Sequence, residues 1–227
     1  MTFPIPRGSL VVSCQARPDN PLHGPVHMAA MARAAEEGGA GGIRASGPDD
    51  LQAIRAVTRL PLLGILKRFD DRFPVAITPD LESALAVVEA GADAVALDAT
   101  GRARDGEPVA ELIPLVRVRT GKPVMADVAT LEEGLRAAFL GADAVATTLS
   151  GYTEETAAPP GAGPDLDLVA ALVAALRVPV IAEGRFRTPE EVREAFRLGA
   201  HAVVVGTAIT NPREITRRFA AGLGLRS

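Results

Sequence analysis

Cysteine and tryptophan are almost missing from this chain, which has one cysteine, Cys14, and no tryptophan. One cysteine excludes both an intramolecular disulfide and a zinc site built from cysteines. Such scarcity is typical of proteins from a reducing compartment. The first residues, MTFPIPRGSL, hold no apolar run of signal-peptide type. We therefore expect a cytoplasmic protein.

The chain also has a small net charge, no long apolar run and three histidines. Each of these features argues against a class of protein or site. The formal net charge is −4, so no basic surface predicts nucleic-acid binding. No apolar run approaches the roughly 20 residues that cross a bilayer, so no membrane span is predicted. The histidines are scattered at His23, His27 and His201. Because no spacing of Asp, Glu and His resembles a ligand set, we expect no metal.

Two short phrases recur along the chain and alternate with each other. One is a proline followed by an aliphatic run, beginning at Pro61, Pro123 and Pro179. The other is Gly-Ala-Asp/His-Ala-Val, beginning at Gly91, Gly141 and Gly199. Helical patterns lie between them. Buried strands that alternate with helices predict βα units and a parallel sheet.

Eight such units can be counted, which favours a closed (β/α)8 TIM barrel of one domain over residues 1–227. The predicted strands are Ser9–Ser13, Gly41–Arg44, Leu62–Leu66, Ala94–Asp98, Val124–Asp127, Ala144–Thr148, Val180–Glu183 and Ala202–Val205. The predicted helices are Pro25–Glu37, Pro48–Val57, Pro79–Ala90, Pro108–Arg119, Leu131–Leu140, Asp165–Leu176, Pro189–Leu198 and Pro212–Ala221.

The longest irregular stretches all follow predicted strands. They are Gln15–Gly24, Lys67–Thr78, Ala99–Glu107 and Ser150–Pro164. Barrel enzymes carry their sites on this face, where the strands end. The last stretch is rich in Gly, Pro and Thr and lies between a strand and its own helix, so we expect a mobile lid there.

The stretch Pro179–Thr210 predicts a phosphate site. Glycine turns follow its two strands, and the second turn opens a helix. Backbone N–H groups at such turns bind anions, and the last two strands of a barrel commonly supply them to a phosphate. The predicted phosphate-binding residues, for a sugar-phosphate substrate, are Gly184, Arg185, Gly206, Thr207 and Ala208.

Polar residues end nearly every predicted strand. They should point into one opening of the barrel, at the carboxyl ends of the strands, which we call the mouth. They are Ser13, Gln15, Arg44, Lys67, Asp98, Asp127, Thr147, Thr148 and Glu183. Lys67 is a candidate general acid/base or Schiff-base amine. The alternative is a surface lysine whose aliphatic stem lies on apolar surface. Glu183 is a candidate second acid/base group, unless it only pairs with Arg44 or Arg185.

The remaining polar candidates each have two interpretations. Arg44 suits an anionic substrate, unless it forms a salt bridge with a carboxylate of the mouth. Gln15 can bind sugar hydroxyls, and Asp127 and Asp98 can bind substrate or orient the lysine. Cys14 has no histidine beside it in the sequence, so we expect a small buried residue rather than a nucleophile.

Seven segments resemble, in family order, the N-acetylmannosamine-6-phosphate 2-epimerases of sialic-acid catabolism. They are SCQARPDNPLH from Ser13, GGIRASG from Gly41, GILKR from Gly64, ALDAT from Ala96, MADVAT from Met125, TTLSGYT from Thr147 and AEGRFRTPEE from Ala182. The resemblance covers about Gly8 to Phe219.

The resemblance implies a phosphate-binding barrel that inverts carbon 2 between N-acetylmannosamine 6-phosphate and N-acetylglucosamine 6-phosphate. It implies that Lys67 and Glu183 are catalytic. The substrate-binding residues that we infer with it are Gln15, Arg44, Asp127 and Tyr152. It also implies that the protein needs no metal or organic cofactor and forms a homodimer. In some members of the family, the two subunits exchange the C-terminal helix.

The chain departs from the usual sequence of the family at several positions. Phe69 stands where we expect an acidic or tyrosyl residue, and Gly101 stands where a larger residue is common. The loop Asp70–Ala76 and the EETAAPPGAG of the predicted lid also differ.

Other functions remain open from the residues alone. A Schiff-base aldolase or lyase would use Lys67 as its nucleophile. A non-catalytic sugar-phosphate sensor would tolerate loss of Lys67 and Glu183, and retention of both argues against it. A pentulose-phosphate 3-epimerase is disfavoured, since its metal-binding histidines and aspartates are not evident.

Overall fold

Eight parallel strands close into a barrel in the computed structural model, which describes residues 1–69 and 71–224. Neighbouring strands pair in chain order, and the eighth pairs with the first. The strands are β1 Ser9–Cys14, β2 Gly42–Ser46, β3 Leu62–Ile65, β4 Ala94–Asp98, β5 Val124–Asp127, β6 Ala144–Ala146, β7 Val180–Glu183 and β8 Ala202–Val205. The predicted (β/α)8 barrel is confirmed.

Helices follow every strand and surround the barrel. They are α1 Pro25–Glu37, α2 Pro48–Val57, α3 Leu81–Glu89, α4 Val109–Thr120, α5 Leu131–Phe139, α6 Leu166–Ala175, α7 Pro189–Arg197, α8 Thr207–Thr210 and α9 Pro212–Gly222. Local chemistry sets several starts. Thr188 precedes α7, and its hydroxyl accepts a hydrogen bond from the Glu191 N–H. The Glu191 carboxylate in turn accepts one from the Thr188 N–H. This reciprocal capping box satisfies two N–H groups at the helix start.

The two faces of the barrel wall form separate apolar clusters, because side chains alternate across each strand. Inward residues such as Val11, Leu63 and Ile65 form one cluster, and outward residues pack against the helices. The same alternation turns one set of polar residues inward at the carboxyl ends of the strands. That set comprises Ser13, Arg44, Lys67, Asp98, Asp127, Thr148 and Glu183.

Arg44 lies deeper than predicted, because β2 does not end there. Ser46 still pairs with Ile65, and the Gly47 N–H donates to the Ile65 carbonyl at 2.8 Å. Two further residues of strand therefore stand above Arg44. Its side chain is 1% exposed, so it lies below the rim of the mouth.

Three other strand ends differ from prediction, since β1 ends at Cys14, β3 at Ile65 and β6 at Ala146. The sixth strand stops at Ala146, because the Thr147 carbonyl accepts the Ser150 N–H and begins a turn. The loop predicted over Lys67–Thr78 contains an antiparallel bridge between Lys67 and Ile77. Asp70, within that loop, lies outside the described residues.

Helix boundaries differ by a residue or two, with two differences that have clear causes. The third helix begins at Leu81 rather than Pro79, because the Asp80 carboxylate accepts the Ser83 N–H at 2.7 Å. The turn after β8 forms its own short helix, α8, which ends before Asn211 caps α9. Within the described part of the chain, no helix has the length and apolarity needed to cross a bilayer.

Candidate active site

Arg44 joins two carboxylates at the base of the mouth. Its Nη1 donates to Asp127 Oδ1 at 3.0 Å and its Nη2 donates to Asp127 Oδ2. Nη1 also donates to Glu183 Oε2 at 2.6 Å. Of the interpretations open from sequence, the salt bridge with mouth carboxylates is the one seen, and Glu183 pairs with Arg44. The Arg44 Nε is buried and has no hydrogen-bond partner among the described residues.

Thr148 links the same two carboxylates through its hydroxyl. Its Oγ1 lies 2.7 Å from Asp127 Oδ1 and 3.1 Å from Glu183 Oε2. A hydroxyl has one proton to donate and accepts through its lone pairs. It can therefore donate to either carboxylate when both are ionised, and accept a bond from Glu183 when that group is protonated.

The Glu183 carboxyl has its pKa raised to about 7. Burial is the main cause, since the side chain is 13% exposed and a charged carboxylate is poorly solvated there. Arg44 opposes this effect, while the negative charge of Asp127 adds to it. Lys67 and the bond from Thr148 lower the pKa by smaller amounts. The result is a carboxyl that can hold or release a proton near neutral pH.

Lys67 lines the same mouth, and its pKa is lowered. Burial is the largest cause, followed by the positive charge of Arg44. The residue nevertheless keeps much of its own surface accessible. Both facts hold because Lys67 borders a concave mouth, where water reaches one side and protein fills most of the surrounding volume. Its amine is thus easier to deprotonate than that of a fully solvated lysine.

Arg17 is a second cation near Lys67 that sequence reasoning missed. Its guanidinium carbon lies 5.8 Å from the centroid of the Phe69 ring, and its charge contributes to the lowered pKa of Lys67. Arg17 comes from the loop after β1 and Phe69 from the loop after β3. The unexpected aromatic at position 69 was the one sequence signal that could have pointed to this pair.

Gln15 directly follows β1, and the nitrogen of its side-chain amide is hydrogen-bonded. Its Nε2 donates to Ser13 Oγ at 2.8 Å. Its Oε1 is buried and, within the part of the chain that the structure describes, accepts no hydrogen bond. Buried polar atoms without a protein partner are rare, and this oxygen is free to accept a hydrogen bond from a bound molecule.

Asp98 belongs to a separate cluster beside the mouth. Thr100 donates to Asp98 Oδ1 through both its N–H and its hydroxyl, and Arg102 donates to Oδ2 at 2.6 Å. Arg104 donates to the Asp98 carbonyl at 2.8 Å. The pKa of Asp98 is raised by burial, and the Thr100 bonds oppose the shift. The carboxylate is thus occupied in ordering the loop after β4.

The predicted phosphate residues lie in two turns at the ends of adjacent strands, β7 and β8. Gly184 and Arg185 both have positive φ angles, of 108° and 61°. Gly206 precedes α8, whose first N–H groups at Thr207 and Ala208 have no helical acceptor. Among the described residues, no backbone carbonyl accepts from Gly184, Arg185 or Gly206.

The Arg185 side chain holds the loop of residues 150–164 instead of pairing with Glu183. It donates to the Ser150 carbonyl and, through Nε, to the Gly163 carbonyl at 2.6 Å. Both ends of the predicted lid are therefore tied to the turn after β7. Tyr152 lies under the same guanidinium, with 5.7 Å from the Arg185 Cζ to its ring centroid. Tyr152 therefore lies beside the turn after β7.

Cys14 and His201 were not predicted to be site residues, and the structure shows what surrounds each of them. Burial raises the pKa of the Cys14 thiol to about 12, with Asp50 adding to the shift, so the thiol is unreactive as expected. The His201 ring lies 2.8 Å from the Ile5 carbonyl, at the opposite end of the barrel. No group of three or more His, Cys, Asp or Glu side chains could hold a metal ion in residues 1–69 and 71–224.

A cavity of about 490 Å³ opens at the other end of the barrel, away from the mouth. It is lined by residues that precede strands, among them Met1, Arg59, Asp93 and Lys122. No predicted catalytic or phosphate-binding residue borders it. Cavity volume alone does not indicate a functional site, and the shifted pKa values of Lys67 and Glu183 make the mouth the candidate.

Comparisons with known proteins agree on one family. Residues 28–224 match the family model described as "Putative N-acetylmannosamine-6-phosphate epimerase". Relatives named "Putative N-acetylmannosamine-6-phosphate 2-epimerase" are 45% identical in Clostridium perfringens and 50% identical in Cutibacterium acnes. The alignments cover 95% and 93% of this chain, and 96% and 92% of the relatives.

Solved structures give the same result at the level of the backbone. The N-acetylmannosamine-6-phosphate 2-epimerase from Clostridium perfringens superimposes with a TM-score of 0.90 at 44% identity, covering 96% of this chain and 94% of that one. A thiamine phosphate pyrophosphorylase from Pyrococcus furiosus, with a TM-score of 0.62 at 21% identity, covers 92% of this chain and 90% of that one and shares the fold alone. This chain belongs to the N-acetylmannosamine-6-phosphate 2-epimerase family.

Proposed function

We propose that the protein is an isomerase that interconverts N-acetylmannosamine 6-phosphate and N-acetylglucosamine 6-phosphate by inverting carbon 2. One observation carries the proposal: two groups in the mouth have pKa values moved towards neutrality from opposite sides. The pKa is lowered for the Lys67 amine and raised to about 7 for the Glu183 carboxyl. Such groups suit proton transfer near neutral pH. Family membership supports the substrate pair.

The reaction that we propose removes one proton from carbon 2, returns one to its opposite face and needs no redox partner. Carbon 2 lies beside the C1 aldehyde of the open-chain sugar, so a positioned base can remove its proton. We assign that step to the neutral Lys67 amine. The C2–H electron pair forms a C1–C2 double bond, and the carbonyl oxygen becomes an enolate oxyanion, since carbon 2 carries the acetamido nitrogen. Glu183 then protonates C2 from the opposite face, directly or through substrate oxygens, and the C1 carbonyl forms again.

The sugar is held by polar groups around this pair in the same proposal. The unpartnered Arg44 Nε and Gln15 Oε1 atoms support binding of sugar oxygens there. Asp127 fixes the Arg44 guanidinium with two bonds, and we also assign it a substrate contact. We assign to Tyr152 a contact with the sugar phosphate beside the turn after β7. Donors aimed at the developing oxyanion are the larger part of such catalysis.

The phosphate is bound by the two turns after β7 and β8 in this assignment. The N–H groups involved belong to Gly184, Arg185, Gly206, Thr207 and Ala208. Two observations support it: β7 and β8 are adjacent, and no backbone carbonyl of the described residues accepts a hydrogen bond from these N–H groups. No metal or organic cofactor takes part in the proposed reaction.

We also propose a cytoplasmic homodimer of single-domain subunits. No residue of α9 is buried, and at its end Phe219 and Leu223 are 73% and 74% exposed. Exposed apolar side chains grouped on one terminal helix support contact with a second copy. The buried Cys14, the only cysteine, supports a reducing compartment.

Exchange of the C2 proton tests the function directly. The protein is incubated with N-acetylmannosamine 6-phosphate in D₂O, and the C2 proton is followed by NMR. We expect the C2 signal to disappear and N-acetylglucosamine 6-phosphate to form. No exchange and no product would overturn the proposal.

The chain offers a matched pair of lysine variants, because it contains two lysines, Lys67 and Lys122. Lys67→Ala should abolish exchange while the protein still binds inorganic phosphate. Lys122→Ala, at the other end of the barrel, should keep full activity. A borohydride-trapped adduct that only Lys67→Ala abolishes would favour a Schiff-base lyase instead. Binding without exchange in the wild type would favour a sensor.

A further inference from the structure

A hydroxyl outside the proposed catalytic set holds the backbone of Glu183 on both sides. Thr147 Oγ1 donates to the Glu183 carbonyl oxygen at 2.9 Å and accepts from the Glu183 N–H at 3.0 Å. Thr147 is 1% exposed, so water does not compete for these bonds. One side chain therefore serves both polar backbone groups of the residue that carries the carboxylate.

The hydroxyl replaces a backbone hydrogen bond that the sheet lacks at this point. The β6–β7 ladder continues as far as the Thr147 N–H, which donates to the Ile181 carbonyl at 3.2 Å. The regular parallel pattern would next join the Glu183 N–H to the Thr147 carbonyl. That carbonyl accepts the Ser150 N–H at 3.2 Å instead. The chain thus leaves β6 one residue early, and the Thr147 side chain supplies the missing acceptor.

The next residue, Thr148, contacts the Glu183 carboxylate, because it continues the inward alternation of Ala144 and Ala146. Thr148 Oγ1 lies 3.1 Å from Glu183 Oε2, and Arg44 Nη1 lies 2.6 Å from the same oxygen. The backbone of Glu183 is held by Thr147, and its side chain is held by Thr148 and Arg44. The direction of the Glu183 side chain depends on the backbone torsion angles of the same residue. A rotation of its peptide would therefore move the carboxylate and break its contacts with Thr148 and Arg44.

We propose that Thr147 is a positioning residue for Glu183: its hydroxyl sets the backbone orientation at the end of β7 and thereby the direction in which the carboxylate enters the mouth. The inference rests on the proposed function, in which Glu183 transfers a proton. A threonine with a structural role alone would affect the stability of the protein. A positioning residue affects the turnover of the folded protein as well.

Two substitutions at position 147 separate the hydroxyl from the bulk of the side chain. Thr147→Val keeps the shape and removes the hydroxyl, and we expect its kcat to fall about 100-fold with little change in KM. Thr147→Ser keeps the hydroxyl, and its kcat should stay within a few-fold of wild type. If Thr147→Val does not fold, Thr147→Ala replaces it in the comparison with Thr147→Ser. Equal kcat values with and without the hydroxyl would overturn the proposal.

Thr58 provides a matched control at the other end of the barrel. It is buried, and its hydroxyl accepts the Leu60 N–H at 3.1 Å. Thr58→Val therefore removes the same kind of buried hydroxyl-to-backbone bond, and its kcat should match wild type. A loss of kcat in Thr58→Val as large as in Thr147→Val would assign the effect to general destabilisation and overturn the positioning role.

A titration of the Glu183 carboxyl by ¹³C NMR separates this inference from the proposed function. We expect the Glu183 pKa to match wild type in Thr147→Ser and to fall in Thr147→Val, because a misplaced carboxylate is less well buried. If the wild type fails to exchange the C2 proton, the proposed function fails, and this titration still tests the positioning. Identical titrations in all three proteins would overturn the positioning, whatever the reaction.

Discussion

Arg44 Nη1 and Glu183 Oε2 lie 2.6 Å apart, yet the pKa of Glu183 is raised to about 7. An ion pair ordinarily lowers the pKa of a carboxyl. Here burial outweighs the pairing, and Asp127 takes the same guanidinium with both of its oxygens. One cation thus serves two carboxylates. The pair is therefore a place where a proton is taken up near neutral pH, rather than a permanently ionised bridge.

Glu183 should make the protein less stable as pH rises from about 4.5 to about 7. Folding raises the pKa of this carboxyl from 4.5 to about 7. The folded state therefore binds more protons than the unfolded state in this window, and the free energy of unfolding falls as pH rises. The shift corresponds to a loss on the order of 3 kcal/mol. Urea unfolding at about pH 5 and about pH 8 measures it.

Glu183→Gln should remove that part of the pH dependence, since the amide does not ionise. Glu37→Gln is the control, because Glu37 is an exposed residue of α1 and its loss should leave the wild-type difference between the two pH values. A Glu183→Gln protein with the full wild-type pH dependence would contradict the assigned shift.

Arg17→Gln should move the Lys67 limb of the pH–rate profile to higher pH. The charge of Arg17 lowers the pKa of Lys67, after burial and Arg44 as the larger causes, while Glu183 and Asp127 raise it. Removing one positive charge raises the pKa of the amine, so deprotonation requires a higher pH. The shift is measured in kcat/KM against pH.

Phe69→Ala tests the same relationship from the aromatic partner. Contact between a guanidinium and an exposed ring contributes about 0.5–1 kcal/mol, so its loss should release Arg17 and shift the limb in the same direction by less. Arg33→Gln removes an equal charge from the exposed face of α1 and should shift nothing. Equal shifts in Arg17→Gln and Arg33→Gln would indicate a general charge effect and refute the local one.

Arg44→Lys should lower both turnover and stability. A lysine ammonium cannot bond both Asp127 oxygens and Glu183 together, since it lacks the planar fork of a guanidinium. Weakening a buried pair leaves charge uncompensated, and we expect a loss of about 3 kcal/mol in unfolding free energy. Arg102→Lys is the control, because Arg102 makes a more exposed pair with Asp98. Its loss should stay below about 1 kcal/mol.

Gly184→Ala should weaken phosphate binding. Gly184 has a φ of 108°, which L-residues with a side chain rarely adopt, although a Cβ there would meet neighbouring atoms at an ordinary 3.6 Å. The substitution therefore strains the turn by about 1–2 kcal/mol without a clash. We expect a higher KM for the sugar phosphate and a weaker inhibition by inorganic phosphate.

Gly121→Ala is the matched control for that strain. Gly121 has a φ of 65° at the end of α4, with open space around a Cβ. It should lose similar stability and keep the wild-type affinity for phosphate. If both variants keep wild-type phosphate affinity, the turn after β7 does not bind the phosphate.

The sequence by itself determined the architecture of this protein. The alternating phrases at Pro61, Gly91, Pro123 and their repeats mark strand starts every few tens of residues, and short connections leave little topological choice. The polar ends of the strands also followed from sequence, since carboxyl ends of parallel strands meet at one face of a barrel. Lys67 and Glu183 were predicted as site residues for this reason.

Contacts inside the mouth required the closed barrel. Arg44 bonds Asp127 and Glu183, which are 83 and 139 positions away, and its depth depends on where β2 ends. The early end of β6 at Ala146 has no sequence signal of its own. Thr147 was therefore seen as one more polar strand end.

The tertiary structure alone decided which charges share a partner. Local sequence patterns report how a segment alternates and where it turns. The pKa of Glu183 depends instead on burial and on the distances to Arg44, Asp127 and Lys67, which come from three other βα units of the barrel. Those distances exist only after the sheet closes, because electrostatic interactions fall off with separation in space and not along the chain.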